Sequence, residues 1–474
     1  MITLLLTLFT AFALSYLVLV NTAYMTITVI AIKQLRRQIE YETYEPIGNL
    51  QGNQFLPGIA VVVPAHNESA VIVDSVKSLL ALEYPNHEII VVNDGSTDDT
   101  ATRVIDAFQM QKIDADYPID LHSEPVDAIY RSRKHDLVLI DKANGGKADA
   151  LNAGLFFTDN ELFCAIDADS IIERGALASV VEPFLTRPEK MVATGGAVRI
   201  ANGSTFRDGR LQTVDLPKKG ILRFQVVEYL RAFLLGRIGL SNLGSLLIIS
   251  GAFGLFKTEV LREIGGYETE SITEDMELIV RLHRYLIDTD REYEVTFLPQ
   301  PVAWTEAPES RRVLSQQRRR WFRGLLDTLS RHRGAIGRPS YGIIGLFALP
   351  FFLFIEALGP LVEGAGYLLI PLFLLMGILD PGFFLLFIVF AVGLGAVVSA
   401  LAIFGEIITY RRYNEPKEIV VLLIYGILEA FTYRPWRAFV SWQALFEYLT
   451  GDTSWGKMTR TGFGTDDEKQ QSDD

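Results

Sequence analysis

The chain has 474 residues, 49% of them hydrophobic, and a formal net charge of −13. That length leaves room for more than one folding unit, and an acidic balance without any long basic tract excludes nucleic acid as a natural partner. The single cysteine, Cys164, excludes an intrachain disulfide. It also leaves too few soft ligands for a closed Cys/His zinc site, whereas Mg²⁺ or Mn²⁺ held by carboxylate oxygens stays open.

Met1 to Ile32 carries no charged side chain. A bilayer span needs ~20 apolar residues, so residues 1–33 are expected to form one transmembrane helix. It lacks the basic start and small-residue cleavage pattern of a signal peptide. Lys33, Arg36 and Arg37 follow it, and the positive-inside bias puts the N-terminus outside and the next segment in the cytoplasm.

After a linker over 34–57, apolar runs alternate with helical patterns through a domain expected to span 58–310. Strands are expected at Gly58–Pro64, His87–Asn93, Leu137–Asp141 and Leu162–Ile166. Helices are expected at Ala70–Leu82, Thr100–Gln111 and Lys147–Gly154, and the long connection Ile113–His135 reads as an accessory surface. Strand, polar turn, helix, repeated, predicts an α/β fold with a mostly parallel, Rossmann-like sheet. Ligands of such sheets bind at the strand C-termini, where this chain's polar clusters fall.

Asp167-Ala168-Asp169 follows a buried strand and could share a divalent cation with two phosphates, although aspartates also favour strand ends for their turn chemistry. Asp94-Gly95-Ser96 could hold a base or ribose, or simply form an Asx-type turn before a helix. Lys142-Ala143-Asn144-Gly145-Gly146-Lys147 offers close backbone approach and a lysine ahead of a helix N-terminus, without Walker spacing. Thr273-Glu274-Asp275 opens an apolar helix; it suits a general base and equally an N-cap with acids in the first turn.

Residues 311–340 read as interfacial amphipathic helices. They contain Gln317-Arg318-Arg319-Arg320-Trp321, in which helical spacing lets Gln317, Arg320 and Trp321 share a face. From 341 to 440 a transmembrane region of three or four helices is expected. Its first block, Tyr341–Leu379, is interrupted by Gly359-Pro360 and Pro371 and reads as two helices or one broken one. Glu356 and Glu363 within it should face a protein interior or lie near an interface. Residues 441–474 read as an interfacial helix and an acidic tail.

Taken in order, Val63-Pro64-Ala65-His66-Asn67-Glu68, Asp94-Gly95-Ser96, Gly146-Lys147 with Ala150-Leu151-Asn152, Asp167-Ala168-Asp169, Ser250-Gly251-Ala252, Thr273-Glu274-Asp275 and Gln317-x-x-Arg320-Trp321 resemble the signature of processive family-2 glycosyltransferases. These are the cellulose, hyaluronan, chitin and poly-N-acetylglucosamine synthases. The resemblance implies a GT-A-type fold and an inverting transfer from a UDP-sugar, UDP-N-acetylglucosamine before UDP-glucose, to a polysaccharide or oligosaccharide acceptor beside the lipid bilayer. It implies Asp275 as catalytic base with Glu274 next to it. Donor binding would fall to Pro64, Asn67, Glu68, Asp94, Lys147, Asp167, Gln317 and Arg320. Ser250, Gly251 and Trp321 would meet the acceptor, and Asp169 with Asp167 would hold Mg²⁺ or Mn²⁺. A non-processive transferase acting on a lipid or short acceptor is the competing expectation. No segment like the cellulose synthase gating loop follows Trp321, and a single N-terminal span is fewer than poly-N-acetylglucosamine synthases lead one to expect.

Overall fold

The computed structural model describes residues 2–44, 56–114, 123–207, 210–410, 412–413 and 415–451. The acidic tail therefore lies outside the described residues, as do residues 45–55 of the linker. The chain divides into two compact units, one made of residues 1–39, 216–245 and 308–458, the other of 40–215, 246–307 and 459–474. Residues 216–245, expected inside the 58–310 domain, thus belong with the apolar helices.

The second unit is built on a ten-stranded sheet. In chain order its strands are β1 (Ile59–Ala65), β2 (His87–Asp94), β3 (Met110–Ile113), β4 (Val126–Ser132), β5 (Leu137–Lys142), β6 (Leu162–Ile166), β7 (Ser170–Ile172) and β8 (Met191–Ile200). A separate two-stranded pair, β9 (Thr205–Arg207) and β10 (Arg210–Thr213), comes next, then β11 (Phe253–Lys257) and β12 (Glu294–Thr305). The order across the large sheet is β3-β4-β5-β2-β1-β6-β11-β8-β12-β7. Pairing is parallel through β5-β2-β1-β6, and antiparallel where β4, β7 and β11 join. The sheet is therefore mixed, parallel chiefly in the half that the sequence made visible.

β1 and β6 read as unbroken apolar runs because they lie mid-sheet, buried on both faces. The helix Ile72–Leu80 buries Ile72, Ser75, Val76 and Leu79 on one face, at the spacing that a 3.6-residue period requires. Two expectations fail locally. The helix from Thr100 stops at Ala107, and Met110 and Gln111 already belong to β3; β4 occupies part of the expected accessory surface.

The first unit is helical. Among the described residues, three helices are long and apolar enough to cross a membrane, over Ala11–Arg37, Ile344–Leu375 and Phe384–Thr409. Pro416–Leu428 and Tyr433–Thr450 would add a fourth span if the pair, bent by 51°, is counted as one. Gly359-Pro360 and Pro371 do not split the first C-terminal block. The helix runs through them, with π turns at Ile344–Ala348 and Phe352–Ala357 absorbing the backbone irregularity. Both glutamates of this helix are bonded: Tyr24 donates to Glu356 and Tyr367 to Glu363, each at 2.7 Å.

Candidate active site

The C-terminal ends of β1, β2, β5 and β6 carry the first four motifs of the sheet unit; Ser250-Gly251-Ala252 precedes β11, and Thr273-Glu274-Asp275 opens the helix Glu274–Asp288. After β1 the backbone turns through Asn67 at φ 58°, a left-handed conformation that asparagine tolerates better than most residues. Its side-chain oxygen accepts from the N–H and the hydroxyl of Thr97, and its own N–H donates to Ser96 Oγ. Glu68 N–H donates to Thr100 Oγ1 at 2.9 Å. His66 Nδ1 and Asn144 Nδ2 both lie 2.8 Å from the Asp94 carbonyl. The post-Pro64 turn is thereby stitched to the turns after β2 and β5.

Asp94 is buried at the end of β2. Its Oδ1 accepts from Lys142 Nζ and Gly145 N–H, both at 2.9 Å, and its Oδ2 from Gly146 N–H at 2.8 Å. Lys142, fully buried, also pairs with Asp149, which in turn accepts from Glu124 N–H. The Asp94 carboxylate, expected to bind the donor nucleoside, braces the glycine turn that opens the helix Lys147–Phe157. Both glycines of that turn are required. A Cβ on Gly145 would stand 2.5 Å from the Asp149 carboxyl carbon, and Gly146 sits at φ 89°, a region L side chains rarely enter.

The brace points the next residue, Lys147, along the sheet edge. Its ammonium lies 2.7 Å from Asp167 Oδ1 and 2.9 Å from Glu274 Oε1, and donates to Gly251 O at 3.0 Å. Three N–H groups meet three acceptors. Burial works against the charge, but the carboxylates of Asp167 and Glu274 outweigh it, so the lysine pKa is raised well above its ordinary value. Lys147 is a cation at every working pH.

Asp275 begins the helix Glu274–Asp288, and its Oδ1 accepts from Met276 N–H at 2.8 Å. A Cβ on Gly251 would lie 3.2 Å from Asp275 Oδ2 and 3.4 Å from Lys147 Nζ, so the missing side chain leaves open the space between the Asp275 carboxylate and the Lys147 ammonium. Ser250 Oγ accepts from Ala252 N–H and fixes that bend. Thr273 makes no side-chain capping bond, while Glu274, Asp275 and Glu277 lie in the helix's first turn. Asp169 is buried beyond β6. Among the described residues, no three His, Cys, Asp or Glu side chains gather as a preformed metal site.

The structure therefore brings Lys147, Asp167, Gly251, Glu274 and Asp275 together, and puts Asp94 in a neighbouring buried knot. Gln317, Arg320 and Trp321 lie in the other unit, on the helix Arg311–Arg331. There Gln317 Oε1 is buried without a hydrogen-bond partner, and Trp321 is 41% exposed. Sequence reasoning missed the pairing of Lys142 with Asp94 and Asp149, for which the only signal was a lysine ending a buried strand.

Residues 60–265 match the family model described as Glycosyl transferase family 2. The chain is 32% identical over 282 residues to a poly-beta-1,6-N-acetyl-D-glucosamine synthase of Staphylococcus epidermidis, a match covering 59% of this chain and 57% of that protein. It is 32% identical over 280 residues to the synthase of the same name from Staphylococcus aureus, covering 58% and 56%. The match thus spans little more than half the length of these relatives. A solved mannosyltransferase, PcManGT from Pyrobaculum calidifontis in complex with GDP-Man and Mn2+, shares the fold at TM-score 0.52 and 17% identity, over 93% of this chain and 99% of that one. The braced edge of this mixed sheet is thus the edge of a GT-A fold, and residues 60–265 resemble the family-2 glycosyltransferases, in a stretch also similar to the poly-N-acetylglucosamine synthases.

Proposed function

We propose that the chain is an integral, multi-pass enzyme of the cell's inner membrane, with its N-terminus outside and its transferase unit in the cytoplasm. It moves N-acetylglucosamine from UDP-N-acetylglucosamine onto the end of a growing β-linked polysaccharide and passes the product through its own helices. The observation that carries this reading is the ammonium of Lys147 held between Asp167 and Glu274, beside the space that Gly251 leaves next to Asp275. Similarity to the two staphylococcal poly-N-acetylglucosamine synthases supports the choice of sugar.

Asp275 takes the proton of the acceptor hydroxyl as that oxygen attacks the anomeric carbon. The bond from that carbon to the diphosphate oxygen breaks, UDP leaves with the electron pair, and one displacement inverts the α-linked donor to a β-linkage. Lys147 offsets charge on the leaving diphosphate, and Glu274 orients its ammonium. Asp167 and Asp169 would hold Mg²⁺ or Mn²⁺ through their carboxylate oxygens. Such an ion, once bound, neutralises diphosphate charge. Pro64, Asn67 and Glu68 shape the nucleoside pocket, and Asp94 acts through the Gly145-Gly146 turn it holds. Ser250 and Gly251 border the acceptor; Gln317 and Arg320 serve the diphosphate, and Trp321 the acceptor sugar.

The test is incubation of membranes containing the chain with a panel of labelled UDP-sugars, with and without chelator. Long polymer from UDP-N-acetylglucosamine, lost on chelation and restored by Mg²⁺ or Mn²⁺, is expected. Asp275→Asn should bind UDP normally and lose transfer by at least about 10³-fold, the scale of removing a group that acts in the transition state. Addition of single sugars only would overturn the polymerase reading, and transfer by D275N would overturn the base.

A further inference from the structure

The helix Arg311–Arg331 inverts the usual arrangement of a helix surface. Its cation Arg318 is 5% exposed, while the aromatic Trp321, one turn on, is 41% exposed. The guanidinium of Arg318 lies over the Trp321 ring, 4.1 Å from its centroid. A guanidinium so placed is attracted to the ring's negative face and covers one face of the indole.

Arg318 is held from behind. Its Nη2 donates to Glu228 Oε2 at 2.7 Å, while Nε and Nη1 have no hydrogen-bond partner. Glu228, on the helix Gly220–Tyr229, also accepts from Tyr433 OH and from Arg437 Nη1, each at 2.8 Å. The Tyr433 ring is itself stacked on Phe224, centroids 5.3 Å apart and planes 9° off parallel. On the other side of the helix, Arg319 and Arg323 pair with Glu447, which fixes the helix's roll. Stability alone does not account for Arg318: a buried ion pair is commonly matched or bettered by apolar residues of similar volume, and two of this guanidinium's nitrogens are unbonded.

We propose that Glu228 is a positioning residue for the acceptor: it presses Arg318 against one face of Trp321, which fixes the indole and leaves its other face as a platform for a pyranose ring. This rests on the reading of Trp321 as an acceptor contact. The device explains why an arginine occupies the position after Gln317, where no contact to substrate is required of it. A lysine there would keep the charge without the planar stack.

The experiment uses the full chain in membranes and measures the KM for a short N-acetylglucosamine oligosaccharide, the KM for UDP-N-acetylglucosamine, and product length. Trp321→Ala should raise the acceptor KM about tenfold or more and shorten the product. Glu228→Gln and Arg318→Lys should each do the same to a smaller extent, with the donor KM unchanged. The double variant E228Q/W321A should be no worse than W321A, because both act through one ring. Additive effects, or a rise in donor KM equal to that for acceptor, would overturn the relay. If W321A raises the acceptor KM and E228Q and R318K do not, the relay fails while the acceptor reading stands. An unchanged acceptor KM in W321A removes both. Should E228Q fail to accumulate, E228D, which keeps the charge at a shorter reach, gives the same partition.

Discussion

Two lysines five positions apart show how the same ion-pair chemistry serves two purposes. Lys142 and Lys147 each lie between two carboxylates. Lys142, with Asp94 and Asp149, is sealed off, its side chain 0% exposed; Lys147, with Asp167 and Glu274, remains 30% exposed. The first is a clasp inside the protein. The second stands where a ligand can reach it. Burial and not residue type separates brace from site, because a buried charge stripped of its partner costs far more than one that water can reach.

That distinction can be broken by substitution. Lys142→Met leaves Asp94 and Asp149 facing each other unneutralised, and should cost about 3–5 kcal/mol; chemical denaturation would show it, and an unchanged midpoint would refute the clasp. Lys147→Met should leave that midpoint nearly untouched and lower the transfer rate by about 10²-fold, as for loss of one charge-stabilising donor. Equal stability losses in the two variants would erase the comparison. Gly146→Ala forces a side chain onto φ 89° and should cost about 1–2 kcal/mol, with a matching loss of donor affinity because the turn fixes where Lys147 starts.

The smallest effect concerns a third buried group, one that avoids charge altogether. His283 bonds to the Leu246 carbonyl and the Tyr293 hydroxyl, both at 2.8 Å, and burial lowers its pKa to about 4. The unfolded chain, with an ordinary histidine value of about 6.5, binds its proton first as pH falls. Stability is therefore level above pH 6.5 and declines between 6.5 and 4, by about 1.4 kcal/mol at pH 5.5. His283→Gln should flatten that portion of an acid-denaturation profile; an unaltered slope would show that other groups set it.

What the sequence revealed and what it hid follow the same physics. β1, β2, β5 and β6 were expected within a residue or two, because each is a buried apolar run. β3, the edge strand, and β4 beside it escaped notice because Gln111, Lys112, Asp127 and Arg131 face solvent there and blur any period. β8 carries Gly195 and Gly196, packed against Ile249 and Val302, and glycine weakens a strand signal just where close packing demands it. In the site, motif residues were legible one by one. Lys142 and Glu228 were not, since their partners lie far along the chain: Asp94 for one, Arg318, Tyr433 and Arg437 for the other.

The excursion of residues 216–245 out of the sheet unit bears on any attempt to shorten the protein. The sheet unit is discontinuous, resuming at Leu246 after the chain has joined the apolar helices. Cutting out 58–310 as one soluble fragment would carry along Glu228 and discard all three of its bonding partners, together with the helices that shelter it. Such a fragment would fail for want of its neighbours, even with every motif of the transfer chemistry up to Asp275 intact.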